Sequence, residues 1–274
     1  MRLLCHLSDL HFGASDPALV AAVRAHLERE RPQVVVVSGD FTQRARGREF
    51  REAREFLDSL PGVKLVVPGN HDVPLWNLLA RFLMPLTGYC RHITTQLSPT
   101  YFDSEVAIVG INTARSWTHK SGRINRWQAE EASLALRQAV PGSVRIVVTH
   151  HPFDLASTGG IGDVVGRAAE ALAAFAACGV DVVVSGHMHA SRAGDSATKY
   201  PVGGKAILLV EAGTATSLRV RGEVNSWNII RIARPDIAVE RWAWDEARSA
   251  FAPVHCDHFQ LAPHGWSRRP PPQA

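Results

Sequence analysis

Cysteine is scarce in this 274-residue sequence: Cys5, Cys90, Cys178 and Cys256 stand far apart, and no two form a C-x-x-C pair. That spacing argues against a disulfide framework and fits a reducing compartment, where isolated cysteines behave as small buried hydrophobes. Long apolar runs are missing too. No stretch approaches the ~20 apolar residues that a membrane-spanning helix needs. The opening residues, Met1 to His6, give way to polar Ser8 and Asp9 without the apolar core of a signal peptide. The expectation is a soluble, cytoplasmic protein with no membrane partner. A strong charge of one sign is also lacking. The 30 basic and 26 acidic residues leave a net charge of +4, too small an excess to mark a nucleic-acid partner. With 46% hydrophobic residues the chain is not disordered as a whole. We expect one domain over residues 1–261, followed by a disordered tail, 262–274, that contains Pro270, Pro271 and Pro272.

What is present is a repeated pattern. Five short, β-branched-rich runs (residues 3–7, 34–37, 63–67, 144–148 and 180–184) each stop at Asp, Asn or His. Runs without in/out alternation read as strands covered on both faces. Helical spacing occupies 17–30, 48–60, 128–139 and 164–178, with a further helix near 75–83 and a strand at 106–111. Strand–helix alternation predicts an α/β fold with a largely parallel sheet. From residue 205 the texture changes: 206–210, 227–232 and 237–242 read as hairpin strands of a second, antiparallel portion. Trp76, Phe82 and Tyr89 read as core or lid packing.

Ligands of open α/β sheets gather at the carboxyl ends of the strands, and all five polar clusters lie there. Asp9 and His11 are two apart, as are His187 and His189; in extended chain such residues face one side, so each pair can converge on a point. Gly39 and Gly69 precede candidate ligands, where a missing Cβ permits a sharp turn. Carboxylate, imidazole and amide oxygen, with no thiolate, suit divalent Mn, Fe, Co or Zn. Asp9, His11, Asp40, Asn70, His150, His187 and His189 are too many for one ion. Two ions sharing a carboxylate absorb the surplus, and Asp40, alone on its strand end, is the natural bridge. Paired ions ~3.5–4 Å apart clamp the attacking and leaving oxygens of a phosphoryl displacement. Two dications against two carboxylates and one hydroxide leave a net charge of about +1, which attracts a phosphate ester.

Taken in order, D-x-H (Asp9, His11), G-D (Gly39, Asp40), G-N-H-D (Gly69 to Asp72), His150 and G-H-x-H (Gly186 to His189) resemble the signature of the calcineurin-like metallophosphoesterases, over residues 9–189. The resemblance implies a four-layer αββα sandwich with a mixed or parallel main sheet and a second sheet from the C-terminal strands. It implies one metal held by Asp9, His11, Asp40 and His189, and another by Asp40, Asn70, His150 and His187. It places His71 on the leaving-group side, as general acid or transition-state stabiliser. From the residues alone, adjacent Asn70 and His71 face opposite ways in extended chain, and Asp72 is expected to hold the His71 ring. Lipid-pyrophosphate hydrolases of the superfamily look similar but carry Arg at this place, which counts against that substrate. Bacterial class III cyclic nucleotide phosphodiesterases are the most similar subgroup. They imply hydrolysis of a phosphodiester such as 3′,5′-cyclic AMP by a metal-bridging hydroxide. The rival readings are a nuclease, a phosphomonoesterase or protein phosphatase, and a non-catalytic scaffold; the intact ligand set argues against the scaffold.

Substrate contacts are sought outside the motifs. Gln43 and Arg44 follow Asp40 closely enough to reach a phosphate, and an exposed helix start accounts for them equally well. Asn112, Arg115, Trp117 and His119 belong to a loop over the expected metals, where aromatic and basic residues can stack on a base and hold a phosphate; a mobile surface loop with no substrate role is the alternative. His151, next to His150, is expected to pack rather than ligate. The expected partner is a small-molecule phosphodiester, with homodimer formation left open.

Overall fold

A computed structural model describes residues 1–118, 120–154, 163–196, 206–219 and 222–269. The first half runs β1 (Arg2–Leu7), α1 (Pro17–Glu30), β2 (Val34–Val37), α2 (Gly47–Ser59), β3 (Val63–Val66), a single 3-10 turn at Asn70–Asp72, α3 (Leu78–Leu83) and α4 (Thr87–His92). It continues through β4 (Thr100–Phe102), β5 (Val106–Gly110), α5 (Arg126–Leu136), β6 (Val144–Val148), α6 (Ala168–Ala177) and β7 (Val182–Ser185). The rest is strand: β8 (Arg192–Asp195), β9 (Leu208–Glu211), β10 (Ser226–Ala233), β11 (Asp236–Asp245), β12 (Ala250–Ala262) and β13 (Gly265–Arg269).

These strands make two sheets, ordered β13-β12-β11-β10-β1-β2-β3 and β4-β5-β6-β7-β9-β8. Alternation along each central strand explains the layering. Leu4, Val34 and Val36 of the first sheet meet Ile146, Val148 and Val184 of the second in an inter-sheet core. Their chain neighbours Cys5, Val35 and Val37 point the other way, into a core with Leu19, Val23 and Leu27 of α1 and Phe50 and Phe56 of α2. Val147 and Val183 likewise turn outward to Leu136 of α5 and to Leu172 and Phe175 of α6. The result is helix, sheet, sheet, helix. Strands covered on both faces have no polar side to display, hence the unbroken valine runs.

Two expectations about the C-terminal third need correction. Residues 206–210 were expected in a hairpin, but β9 runs parallel to β7 inside the second sheet, with all four of its residues buried. Strands β10 to β13 do not form a sheet of their own; β10 pairs antiparallel with β1 and so extends the first sheet. Sheet membership depends on which edge is vacant, and hairpin texture in the sequence cannot say. The tail boundary also moves. Within 262–274, Gly265–Arg269 is β13, paired with β12. Trp266 is buried there and donates from Nε1 to Asp181 Oδ1 at 2.9 Å. Among the described residues no helix is long and apolar enough to cross a membrane.

Candidate active site

The C-terminal ends of β1, β2 and β3 in one sheet and of β6 and β7 in the other open onto the same edge of the sandwich, and the seven candidate ligands lie just beyond them. The local geometry is not the extended one expected from the i, i+2 spacing. Asp9, His11, Asp40, His187 and His189 all have positive φ, from 50° to 74°. Left-handed backbone costs roughly 1–2 kcal/mol for a residue with a Cβ, and here bonds from distant segments hold it. His11 N donates to Asp40 O at 2.9 Å and Asp9 N to Gly39 O at 3.1 Å. Thr214 Oγ1 donates to Asp9 O at 2.7 Å. Each reversal of the chain throws a side chain inward. Two glycines let these turns stack: a Cβ at Gly69 would collide with the carboxylate and amide of Asp40, and one at Gly39 would lie 2.6 Å from His150 Nδ1.

The donors fall into two groups. In the first, His189 Nε2 is 3.1 Å from Asp9 Oδ1 and 3.2 Å from His11 Nε2. In the second, His150 Nε2 is 3.0 Å from Asn70 Oδ1 and 3.3 Å from His187 Nδ1. Asp40 spans both, with Oδ2 3.7 Å from His11 Nε2 and Oδ1 3.5 Å from His150 Nε2. Which atoms carry protons follows from the partners behind them. His189 Nδ1 donates to Arg219 O at 2.8 Å and His150 Nδ1 to Ser38 O at 2.7 Å, since a carbonyl can only accept. When neutral, both rings therefore aim an Nε2 lone pair inward. Asp9 Oδ1, though buried, accepts no hydrogen bond. Lone pairs facing lone pairs at this range repel unless a cation stands among them, so the donor set fits metal ions.

Titration reflects the same crowding. Burial pushes the Asp9 carboxyl up, and His189 and His11 outweigh it to hold it well below the usual carboxylate range. Asp40 behaves alike: burial opposes its charge, while His150, His71 and His11 depress it. Burial lowers His150, but Asp40 more than reverses this and lifts it to about 9. His187 falls to about 4 through burial and the nearby His150.

Asp72 does not hold His71. It is buried, and its carboxylate accepts from Thr42 N at 2.9 Å, Gly69 N at 2.9 Å and Thr42 Oγ1 at 3.1 Å, so it ties the β2 and β3 loops together. The His71 ring is fixed by Gln43 instead, with Nδ1 donating to the backbone carbonyl at 2.9 Å. Because residues 70–72 form a 3-10 turn and not extended chain, His71 stays near the cluster, its ring edge-on to His11 with centroids 4.8 Å apart. His151 has both ring nitrogens engaged, 2.7 Å from Thr113 Oγ1 and 2.7 Å from Lys120 O, and is buried.

Above this floor opens a cleft of about 210 Å³ whose lining includes Asp40, Asn70, His71, His187 and His189 together with the cations Arg44, Lys120 and Arg219. Arg44 thus lies where a phosphate contact was sought. Arg115 does not: its guanidinium is spent on Asn112 O, Ala114 O and Gln128 Oε1. Asn112 caps the same turn, its Oδ1 accepting from Ala114 N at 2.9 Å. Trp117 is 86% exposed, and His119 lies outside the described residues. Arg219 was missed in the sequence. Its Nη1 stands 3.4 Å from His71 Nε2 and 3.4 Å from Gln43 Oε1, and no motif surrounds it.

Known proteins share this fold. In solved structures, the purple acid phosphatase PPD1 of yellow lupin (Lupinus luteus) superposes with a TM-score of 0.69 at 11% identity, covering 93% of this chain and 53% of that one. A dimetal phosphatase from Danio rerio gives 0.62 at 12% identity, covering 92% and 98%. At such identity the likeness is one of fold. A stretch of 81 residues is 41% identical to the glycerophosphodiester phosphodiesterase GpdQ of Enterobacter lignolyticus, a match over 26% of this chain and only 29% of that relative's length. The family model for calcineurin-like phosphoesterases matches residues 3–191. With well over half its length matched, this chain belongs to the calcineurin-like phosphoesterase family.

Proposed function

We propose that the chain is a phosphodiesterase working with two divalent ions, one held by Asp9, His11, Asp40 and His189 and the other by Asp40, Asn70, His150 and His187. The observation that carries this reading is Asp40, whose two oxygens face different donor groups. Ions bound there would supply positive charge for the phosphoryl oxygens and a water made nucleophilic near neutral pH. The chain's own residues do the rest. Arg44, Lys120 and Arg219 line the cleft and take the non-bridging oxygens of the substrate in charge-assisted hydrogen bonds. His71 has Nδ1 tied to a carbonyl, so Nε2, which faces the Arg219 guanidinium as an acceptor, is the nitrogen left to exchange a proton with substrate. From there it serves the departing alkoxide.

A phosphodiester is preferred over a monoester because the curated relative acts on one by name. Both 3′,5′-cyclic AMP and a glycerophosphodiester meet the chemical requirement. Metal analysis beside turnover of bis(p-nitrophenyl) phosphate tests the reading. Wild type should carry about two ions per chain, and Asp40→Ala should lose metal together with on the order of a thousandfold in rate. Equal metal content in both proteins would overturn the bridging role. Turnover of cyclic nucleotides and glycerophosphodiesters side by side then names the substrate.

A further inference from the structure

Helix α3 is built inside out. Its one charged residue, Arg81, is 3% exposed, while Leu79 is 72% and Leu83 69% exposed. On a helix, positions 79 and 83 lie almost opposite 81, so the apolar face is turned deliberately to water. Arg81 fixes that orientation. Its guanidinium donates to Ser116 O at 2.6 Å, Pro74 O at 3.0 Å and Thr118 O at 2.6 Å, which stitches α3 to the neighbouring loop. That loop adds to the same face: Trp117 packs its ring on Phe82 with centroids 4.9 Å apart. Trp76, just before the helix, is 79% exposed. The sequence suggests core or lid packing for Trp76 and Phe82; with Arg81 facing inward, they face out and not into the core.

An apolar face held outward by three hydrogen bonds needs an occupant, and charge indicates which. The two segments that build it hold no acidic residue from 73 to 102 or from 106 to 129. The face also adjoins the cleft, since Leu75 and Val73 line the cleft beside Arg44, Lys120 and Arg219. Exposed leucines with tryptophans at their edge, on two segments free of acidic residues and beside the cationic side chains of the cleft, match the interface of an anionic bilayer. Leucine enters the acyl boundary, tryptophan settles at head-group depth, and lysine and arginine meet the phosphates. We propose that the α3 face docks this protein on an anionic phospholipid surface, with the cleft mouth held at the level of the phosphodiester head groups. That no helix among the described residues is long and apolar enough to cross a membrane does not bear on such peripheral binding. The docking stands on the exposed face itself; only the link to head-group chemistry rests on the phosphodiesterase reading.

Sedimentation with vesicles of phosphatidylglycerol and phosphatidylcholine tests it, read together with tryptophan emission. Wild type should pellet with the anionic vesicles and shift its emission to the blue, pure phosphatidylcholine should bind at least about tenfold more weakly, and high salt should release the protein. Leu79→Glu with Leu83→Glu should lose binding at least about tenfold, with unchanged thermal stability and unchanged hydrolysis of bis(p-nitrophenyl) phosphate. Wild type that stays in the supernatant at every phosphatidylglycerol content overturns the proposal. So does a dimer, seen by light scattering, that the double variant dissociates, because the face then belongs to a second copy of the chain. Vesicle binding without any phosphodiester hydrolysis supports the docking surface and overturns the phosphodiesterase reading alone.

Discussion

The floor and the rim of the cleft follow opposite rules. On the floor, Asp9, His11, Asp40, His150, His187 and His189 are buried, and most sit on backbone that only distant bonds can hold in place. On the rim, Arg44, Lys120, Arg219 and the α3 face meet water, and their placement rests on single anchors such as Arg81. The contrast teaches where tolerance lies. A buried donor that must converge with others on one point tolerates little displacement, whereas a rim residue reaches through a long side chain and can be replaced at a graded cost. Substitutions should therefore sort by layer: loss of metal and rate below, change of KM or of partner above.

The sharpest way to break the contrast is to add one carbon to the floor. Gly69 has ordinary extended backbone, φ −105° and ψ −176°, so alanine is conformationally acceptable there. Space is the sole objection, because its Cβ would overlap the Asp40 carboxylate and amide. Gly69→Ala should cut turnover by at least about a hundredfold and lower the bound metal. Full metal content with full rate would show that the floor tolerates more displacement than its packing suggests.

Next in size is Arg219, which sharpens the contrast because its two halves belong to different layers. Its carbonyl accepts from His189 Nδ1 on the floor, while its guanidinium stands on the rim near His71 and Gln43. Truncating the side chain leaves the carbonyl in place. Arg219→Ala should keep both ions and raise KM for a phosphodiester about tenfold, or roughly 1.4 kcal/mol, with Arg219→Lys between the two. Metal loss in Arg219→Ala would place the whole residue on the floor.

The floor was far more legible in the sequence than the rim. Asp9, His11, Asp40, Asn70, His150, His187 and His189 announce themselves because ligand chemistry restricts residue type, and the glycines before Asp40 and Asn70 mark close passage of the chain. Their conformation was not legible. The i, i+2 pairs converge through left-handed turns, and one bond that holds Asp9 there, from Thr214, arrives from 205 residues away. Nothing local flags Arg219, which reaches the site only because the segment after β9 returns over the donor cluster. Helices α2 and α3 show the same limit. In α2 the pattern works, with Phe50 and Phe56 buried and Arg48 paired to Glu52 at 2.8 Å outside. In α3 the same rule would bury the leucines, but three backbone carbonyls of neighbouring loops claim Arg81. The sheet assignment of β9 failed for a related reason, since strand partners are chosen by edges that close only when the chain is folded.

The smallest expected effect on turnover concerns a carboxyl under the ligand loops. Glu211, at the end of β9 and beside Ser185 of β7, is 2% exposed, and its Oε2 has no hydrogen-bond partner. Burial lifts it from an ordinary 4.5 to about 7, with Arg192 opposing and Asp154 adding to the rise. The folded chain therefore keeps a proton that the unfolded chain releases near pH 4.5. Stability from this group is complete below that pH and is lost as pH rises through 7. The loss should be roughly 2–3 kcal/mol between pH 5 and pH 8. Glu211→Gln cannot ionise, so its unfolding midpoint should gain on wild type at pH 8 and match it more closely at pH 5. Comparing the two proteins at each pH cancels the titration of the clustered histidines, which both share. A constant difference across that range would mean that Glu211 is ionised in the folded chain throughout, with Arg192 offsetting the cost of its burial.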